Sequence, residues 1–229
     1  MRQRNIKNLE ERISENSRLL IDDPRGCRGH WNEIFGNSNP IYLEIGCGKG
    51  KFITGLAAAF TGRNYIAIEG QSSVVLRALE KAEEQQLGNL RIFIDYVNDL
   101  SDYFSHGELS GIYLNFCDPW PKARHAKRRL TYHTRLKNYM QVLDEDGFIE
   151  FKTDNDGLFE FTLEEIRTAG LEIAEMTRDL HGGPVGEYSA ISRKFMTEYE
   201  EKFSSQGKNI NFVRIWIYIF IINKESDFS

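Results

Sequence analysis

The chain has 229 residues, 41% of them hydrophobic and 28% charged, with 19 glycines and a formal charge of -5. That composition excludes disorder, collagen and low-complexity filler, and at this length one α/β-sized domain or two small ones is expected, burying roughly 70% of the unfolded surface. The acidic balance, with a pI of about 5.6, argues at first sight against nucleic acid as a partner.

Residues 1–30 contain no apolar stretch of signal-peptide length, which predicts no export. They hold seven Lys or Arg against five acids. The segment reads as an N-terminal extension to a single domain over 31–229, because no repeat, linker or composition break divides the rest. Cys27, Cys47 and Cys117 are odd in number and lack zinc or CxxC spacing, so a reducing, cytoplasmic setting is expected rather than a disulfide framework.

Apolar runs of strand length fall at Ile41–Ile45, Tyr65–Glu69, Leu90–Ile94, Gly111–Phe116 and Gly147–Thr153. Amphipathic segments with helical spacing follow at Gly50–Phe60, Ser72–Gln86, Tyr132–Leu143 and Leu158–Thr168. The most hydrophobic run, Ile210–Ile222, carries Arg214 and is shorter than the roughly 20 residues of a membrane-spanning helix; it reads as a buried strand. Such alternation predicts an α/β fold, a parallel sheet with helices on both faces and ligands beyond the carboxyl ends of the strands.

The first strand leads into Glu44-Ile45-Gly46-Cys47-Gly48-Lys49-Gly50, a loop that lets a ligand approach the backbone closely. A phosphate-binding P-loop needs four residues between its glycine and Gly-Lys-Ser/Thr; Gly46 and Gly50 enclose three, and Phe52 follows Lys51. A dinucleotide fingerprint is weakened, without being eliminated, by Lys51 at its third glycine position and by the nearby Glu44. S-adenosylmethionine carries an ammonium and a sulfonium and no phosphate, so an adjacent carboxylate suits it. Glu69 ends the second strand, where an acid can accept both ribose hydroxyls. The competing reading makes Glu44 and Glu69 solvated strand-end carboxylates.

The fourth strand is followed by Asp118-Pro119-Trp120-Pro121-Lys122, a rigid non-helical loop that holds Asp118 over the binding crevice. Residues 122–137 then contain seven Lys or Arg, two His and no acid, the footprint of a phosphate backbone. His125, His133 and His181 have no metal spacing, and no metal site is expected.

With DPWPKARHAKRRL at Asp118–Leu130 the sequence resembles the bacterial tRNA (guanine-N7)-methyltransferase family, TrmB. EIGCGKGKF at Glu44–Phe52, NYIAIE at Asn64–Glu69, FKTDN at Phe151–Asn155, DLH at Asp179–His181 and TEYEEKF at Thr197–Phe203 carry the same resemblance, in the family's order. It implies a Rossmann-like class I methyltransferase: a mostly parallel seven-stranded sheet with an antiparallel last strand, helices on both faces, and S-adenosyl-L-methionine as donor. The implied acceptor is the variable-loop guanosine of tRNA conventionally numbered 46, and the implied assembly is a monomer or homodimer.

By matched position, Glu44, Gly46, Gly48, Gly50, Glu69, Tyr96 and Asp118 would bind the donor, with Asp118 also the catalytic carboxylate. Lys122, Asp154, Thr197, Glu198, Tyr199 and Glu200 would bind the target guanosine. Arg124, His125, Ala126, Lys127, Arg128 and Arg129 would contact RNA. The chain departs from the family pattern at Tyr96-Val97, which replaces an Asp-Ala pair, and in a longer loop over 182–196.

Guanine N7 has an in-plane lone pair and no proton, so methylation needs alignment and electrostatics rather than a general base. Trp120 and Tyr199 are candidates to stack on a displaced base, against the commoner role of aromatics as core. Rival functions are a methyltransferase for another base or for protein, and a non-catalytic RNA-binding scaffold. Setting the seven cations of 122–137 aside leaves 22 basic against 34 acidic residues, so the acidic total localises an RNA contact to one stretch.

Overall fold

The computed structural model describes residues 6–184 and 186–216. The chain opens with helices α1 (Leu9–Glu15) and α2 (Trp31–Phe35), then alternates β1 (Ile41–Ile45), α3 (Lys51–Ala59), β2 (Asn64–Glu69), α4 (Ser72–Glu84) and β3 (Leu90–Ile94). The second half runs β4 (Leu109–Asn115), α5 (His133–Val142), β5 (Leu143–Thr153), α6 (Asp156–Ala169) and β6 (Glu172–Thr177). Two short helices, α7 (Ser189–Lys194) and α8 (Glu198–Ser204), precede β7 (Asn211–Trp216).

The strands form one seven-stranded sheet in the order β3-β2-β1-β4-β5-β7-β6. Strands β1 to β5 are parallel, and β7 runs antiparallel to both β5 and β6. The expected α/β architecture and its antiparallel last strand are therefore present. The predicted strand over Ile210–Ile222 is seen as β7; residues 217–222 lie outside the described ones.

Alternation along β1 builds two cores. Ile41, Leu43 and Ile45 join Trp31, Leu136, Tyr139, Leu158 and Phe159 on one face, while Tyr42 joins Phe52, Ile53, Leu56, Val75 and Leu79 on the other. Each fully buried side chain of this size contributes about 1.5–3 kcal/mol. Helices α3 and α4 thus cover one face, and α2, α5 and α6 cover the other.

The described segment before residue 31 is packed on the rest of the chain. Leu19 is fully buried and Cys27 belongs to the core; Leu20 bridges Ile92, and the Ile21 amide donates to the Ile92 carbonyl at 2.8 Å. Arg12 pairs with Glu80, and Arg18 with Glu83, fastening α1 and the turn after it to α4. The expected extension therefore packs on the domain, because its apolar residues Ile13, Leu19 and Leu20 complete the cover of α4.

Strand β6 has no counterpart among the predicted runs. It is an edge strand with Ile173 and Met176 exposed, so it lacks the apolar density that marked the buried strands.

Candidate active site

The strand order reverses between β1 and β4, and there a cleft of about 520 Å³ opens at the carboxyl ends of the strands. Its floor is the loop after β1. Gly46 adopts φ +76°, and a side chain there would enter open space with no atom within 4 Å. Gly50 adopts φ +81° at the start of α3, and an added Cβ would stand 2.6 Å from the Ala78 Cβ, so this glycine permits close α3–α4 packing. The Gly48 amide donates to Glu69 Oε2 at 3.1 Å and the Gln71 amide to Glu69 Oε1 at 3.1 Å. Two backbone amides thus hold the Glu69 carboxylate at the cleft wall.

Glu44 is completely buried rather than solvated. Asn115 Nδ2 donates to its Oε1 at 2.7 Å, while Oε2 has no partner among the described residues. Burial above all raises its pKa to about 7, with Glu198 and Glu69 adding to the effect and Asn115 and Lys152 opposing it. A buried, half-satisfied carboxylate beneath an open glycine loop fits a cationic group, and Glu69 fits a ribose. Phosphate would meet Glu69 and Asp118 instead. These residues accommodate S-adenosylmethionine better than a dinucleotide.

Beyond β4 the backbone is strained. Phe116 lies at φ 51° and Trp120 at φ 40°, a conformation that costs non-glycine residues about 1–3 kcal/mol and clusters at functional sites. Arg129 sustains it: Nε donates to the Pro119 carbonyl at 2.9 Å and Nη2 to that of Trp120 at 3.0 Å. The Arg128 guanidinium covers the Trp120 ring at 4.9 Å, and His125 meets that ring edge-on. Trp120 lines the cleft rather than the core. Asp118 also lines it, exposed, with no hydrogen bond or ion pair among the described residues. The neighbouring Cys117 thiol is pushed up to about 12, chiefly by burial, so it is a packing group and not a nucleophile.

Tyr96 stands at the cleft mouth, 70% exposed, with its ring against Gly70. Asn98 lines the cleft beside it, and Arg135 Nη1 donates to the Val97 carbonyl at 2.9 Å, holding that loop. Asn98 and Asn115 were absent from the expected site residues, and Arg135 was expected only as one cation of the basic run; that all three line the cleft is shown only by the fold.

The predicted guanosine residues gather beside the cleft. Tyr199, half-exposed on α8, donates its hydroxyl to Asp154 Oδ2 at 3.3 Å, and its ring lies 5.1 Å from that of Phe116. Lys208 also pairs with Asp154, at 3.1 Å. Thr197 caps α8 in a capping box with Glu200. Glu198 pairs with Lys81. Glu200 is fully buried, bonded to Lys152 Nζ at 2.6 Å and His181 Nε2 at 2.9 Å, so its carboxylate faces protein and not the cleft.

Of the predicted RNA residues, Ala123–Arg128 form a 3-10 helix on which Arg124 and Lys127 are exposed and unpaired among the described residues. Lys122, just before it, is likewise exposed. Arg129 differs, being half-buried and committed to the loop carbonyls and the Phe161 ring. Among the described residues no cluster of three or more His, Cys, Asp or Glu could hold a metal, and no helix is long and apolar enough to cross a membrane.

Residues 38–213 match the family model described as "Putative methyltransferase". The chain is 46% identical over 210 residues to a tRNA (guanine-N(7)-)-methyltransferase of Lactococcus lactis subsp. cremoris, covering 92% of this chain and 95% of that one. A protein of the same name from Lachnoclostridium phytofermentans is 48% identical over 92% of this chain and 96% of its own length. The fold resembles that of the 16S rRNA methyltransferase KamB, with TM-score 0.59 and 11% identity over 81% of this chain and 91% of that one. An Aquifex aeolicus SAM-dependent methyltransferase gives TM-score 0.51 and 15% identity, covering 93% of this chain and all of the other. With the family's motifs assembled around one cleft, the chain belongs to the tRNA (guanine-N7)-methyltransferase family.

Proposed function

We propose that this protein transfers a methyl group from S-adenosylmethionine to N7 of a tRNA guanosine, the variable-loop residue at conventional position 46. The observation that carries the reading is an Asp118 carboxylate on the cleft, unpaired among the described residues and followed in the chain by the exposed cations Lys122, Arg124 and Lys127, with the Tyr199–Asp154 pair packed against the cleft residue Phe116. The relatives' shared name supports the same base and atom. When bound, the donor supplies an electrophilic methyl on a positively charged sulfur.

The protein's part is placement and charge. Glu69 would receive the ribose, and Glu44 beneath the glycine loop would compensate the donor's positive charge. Asp118 and Asp154 are acceptors for the amino and imino edge of guanine, and their negative charge favours a base that becomes a cation on methylation. No proton has to leave N7, so Asp118 need not act as a base. Tyr199 offers a half-exposed aromatic face for the base, while Lys122, Arg124, Lys127 and Arg128 meet phosphates.

Transfer of labelled methyl to tRNA transcripts carrying G or A at position 46 tests this. Label on the G transcript alone is expected; label on both, or on neither, refutes it.

A further inference from the structure

Helix α8 carries three glutamates in its first turn, and each is paired with a lysine from a different element. Glu198 pairs with Lys81 of α4, Glu200 with Lys152 of β5, and Glu201 with Lys51 of α3. Exposed ion pairs contribute little, but two of these three have features that surface pairs lack. Lys152 is 1% exposed and uses all its donors, giving to Glu200 at 2.6 Å, to the Ser192 carbonyl at 3.3 Å and to that of Phe195 at 3.2 Å, with the Phe52 ring beneath. Lys81 donates to the Lys49 carbonyl at 2.9 Å as well as to Glu198, so one ammonium touches both the glycine loop and α8.

A helix of seven residues does not hold its own position. What α8 presents is Tyr199, which reaches Asp154 and packs against Phe116, a cleft residue. Burying the Lys152–Glu200 pair is weak evidence for stability, since an apolar pair could pack as well. Directional bonds from α8 to α3, α4, β5 and His181 do what an apolar pair could not, which is to set the rotation and height of α8 relative to the glycine loop.

We infer that Lys81 and Lys152 are positioning residues for methyl transfer, acting through Glu198 and Glu200 to set α8 so that Tyr199 and Asp154 face the acceptor base. This rests on the function proposed above. Neither lysine touches the reacting atoms, and Glu198 and Glu200 hold α8 in place instead of reading guanine.

Lys81 is partly exposed, so Lys81→Met should fold, and it is the primary test. Three quantities are measured in the full-length protein: kcat/KM for tRNA, affinity for S-adenosylhomocysteine by calorimetry, and amide hydrogen exchange over residues 198–204. The expected result is a kcat/KM lower by roughly 10- to 100-fold, as small misplacements give, with product affinity within threefold, faster exchange in α8, and substantial recovery in Lys81→Arg. A kcat/KM within twofold of wild type, unchanged α8 exchange, or a product affinity that falls in step with kcat/KM overturns the inference. Lys152→Met should show the same split at greater cost in stability; should it fail to fold, the Lys81 variants decide. If the wild type methylates no tRNA, the proposed function fails, and α8 exchange in Lys81→Met still decides whether the lysine sets the helix.

Discussion

Replacing Glu44 by glutamine separates what this carboxyl does for folding from what it does for the donor. The substitution keeps the shape and the acceptor for Asn115, and removes only the ability to ionise. In the folded chain the group's pKa is raised from 4.5 to about 7, mainly by burial. Below pH 4.5 both folded and unfolded chains carry the proton, and Glu44 is neutral in effect. Between 4.5 and 7 the unfolded chain releases the proton and the folded one keeps it, so stability falls as pH rises. Above pH 7 the whole cost applies, about 3 kcal/mol for a difference of that size. Glu44→Gln should therefore be more stable than wild type at pH 8 by up to about 3 kcal/mol, roughly 6–12 °C in Tm for a chain of this length, and nearly equal to it at pH 4.5. Thermal unfolding of both proteins across this pH range measures the difference. Calorimetry with S-adenosylmethionine supplies the other half: wild-type affinity should weaken by about tenfold per pH unit below 7, and the variant should bind weakly with no such dependence. Parallel stability curves for the two proteins from pH 4.5 to 8 would refute the argument, since they would mean that no proton is retained on folding.

Asp118→Asn replaces an exposed carboxylate that is unpaired among the described residues, so Tm should move by less than a few degrees while kcat falls by roughly 100-fold or more, read by methyl incorporation under saturating donor. Arg124→Glu with Lys127→Glu should weaken tRNA binding and flatten the plot of log affinity against log salt by about two, with donor affinity unchanged; an unaltered slope in filter binding would place the RNA elsewhere. The glycines of the first loop should divide. Gly46→Ala adds a methyl in open cleft space and should lose donor affinity, for about 1–2 kcal/mol of strain, whereas Gly50→Ala collides with Ala78 and should lose more stability.

The alternation of apolar runs was enough to read the parallel half of the sheet, because strands buried on both faces leave dense Val, Ile, Leu and aromatic blocks. Strand β6 left no such mark, being an edge strand whose apolar residues Ile173 and Met176 are exposed. The core role of residues 19–31 was equally hidden: Leu19, Cys27 and Trp31 are scattered among charges, and the Trp31 indole finds its acceptor at Tyr103, 72 positions away. At the site, the glycines, Glu69 and Asp118 were legible from their place after apolar runs. Arg129 and Glu200 were legible as residue types only. A basic run gives no sign that one of its arginines closes the Pro119–Trp120 turn, and an acidic run gives no sign that each of its glutamates lies against a lysine.

Local order in the chain decides the class of protein and the chemistry available to it: short-range rules such as hydrophobic period, glycine at positive φ and proline beside tryptophan act between near neighbours and survive in one dimension. Which carboxylates stay free to act is decided only in three dimensions. Charge is neutralised through space, by lysines from α3, α4 and β5 that lie between 48 and 150 positions from their partners in α8. Asp118 is left open to the cleft because, among the described residues, no cation is folded against it.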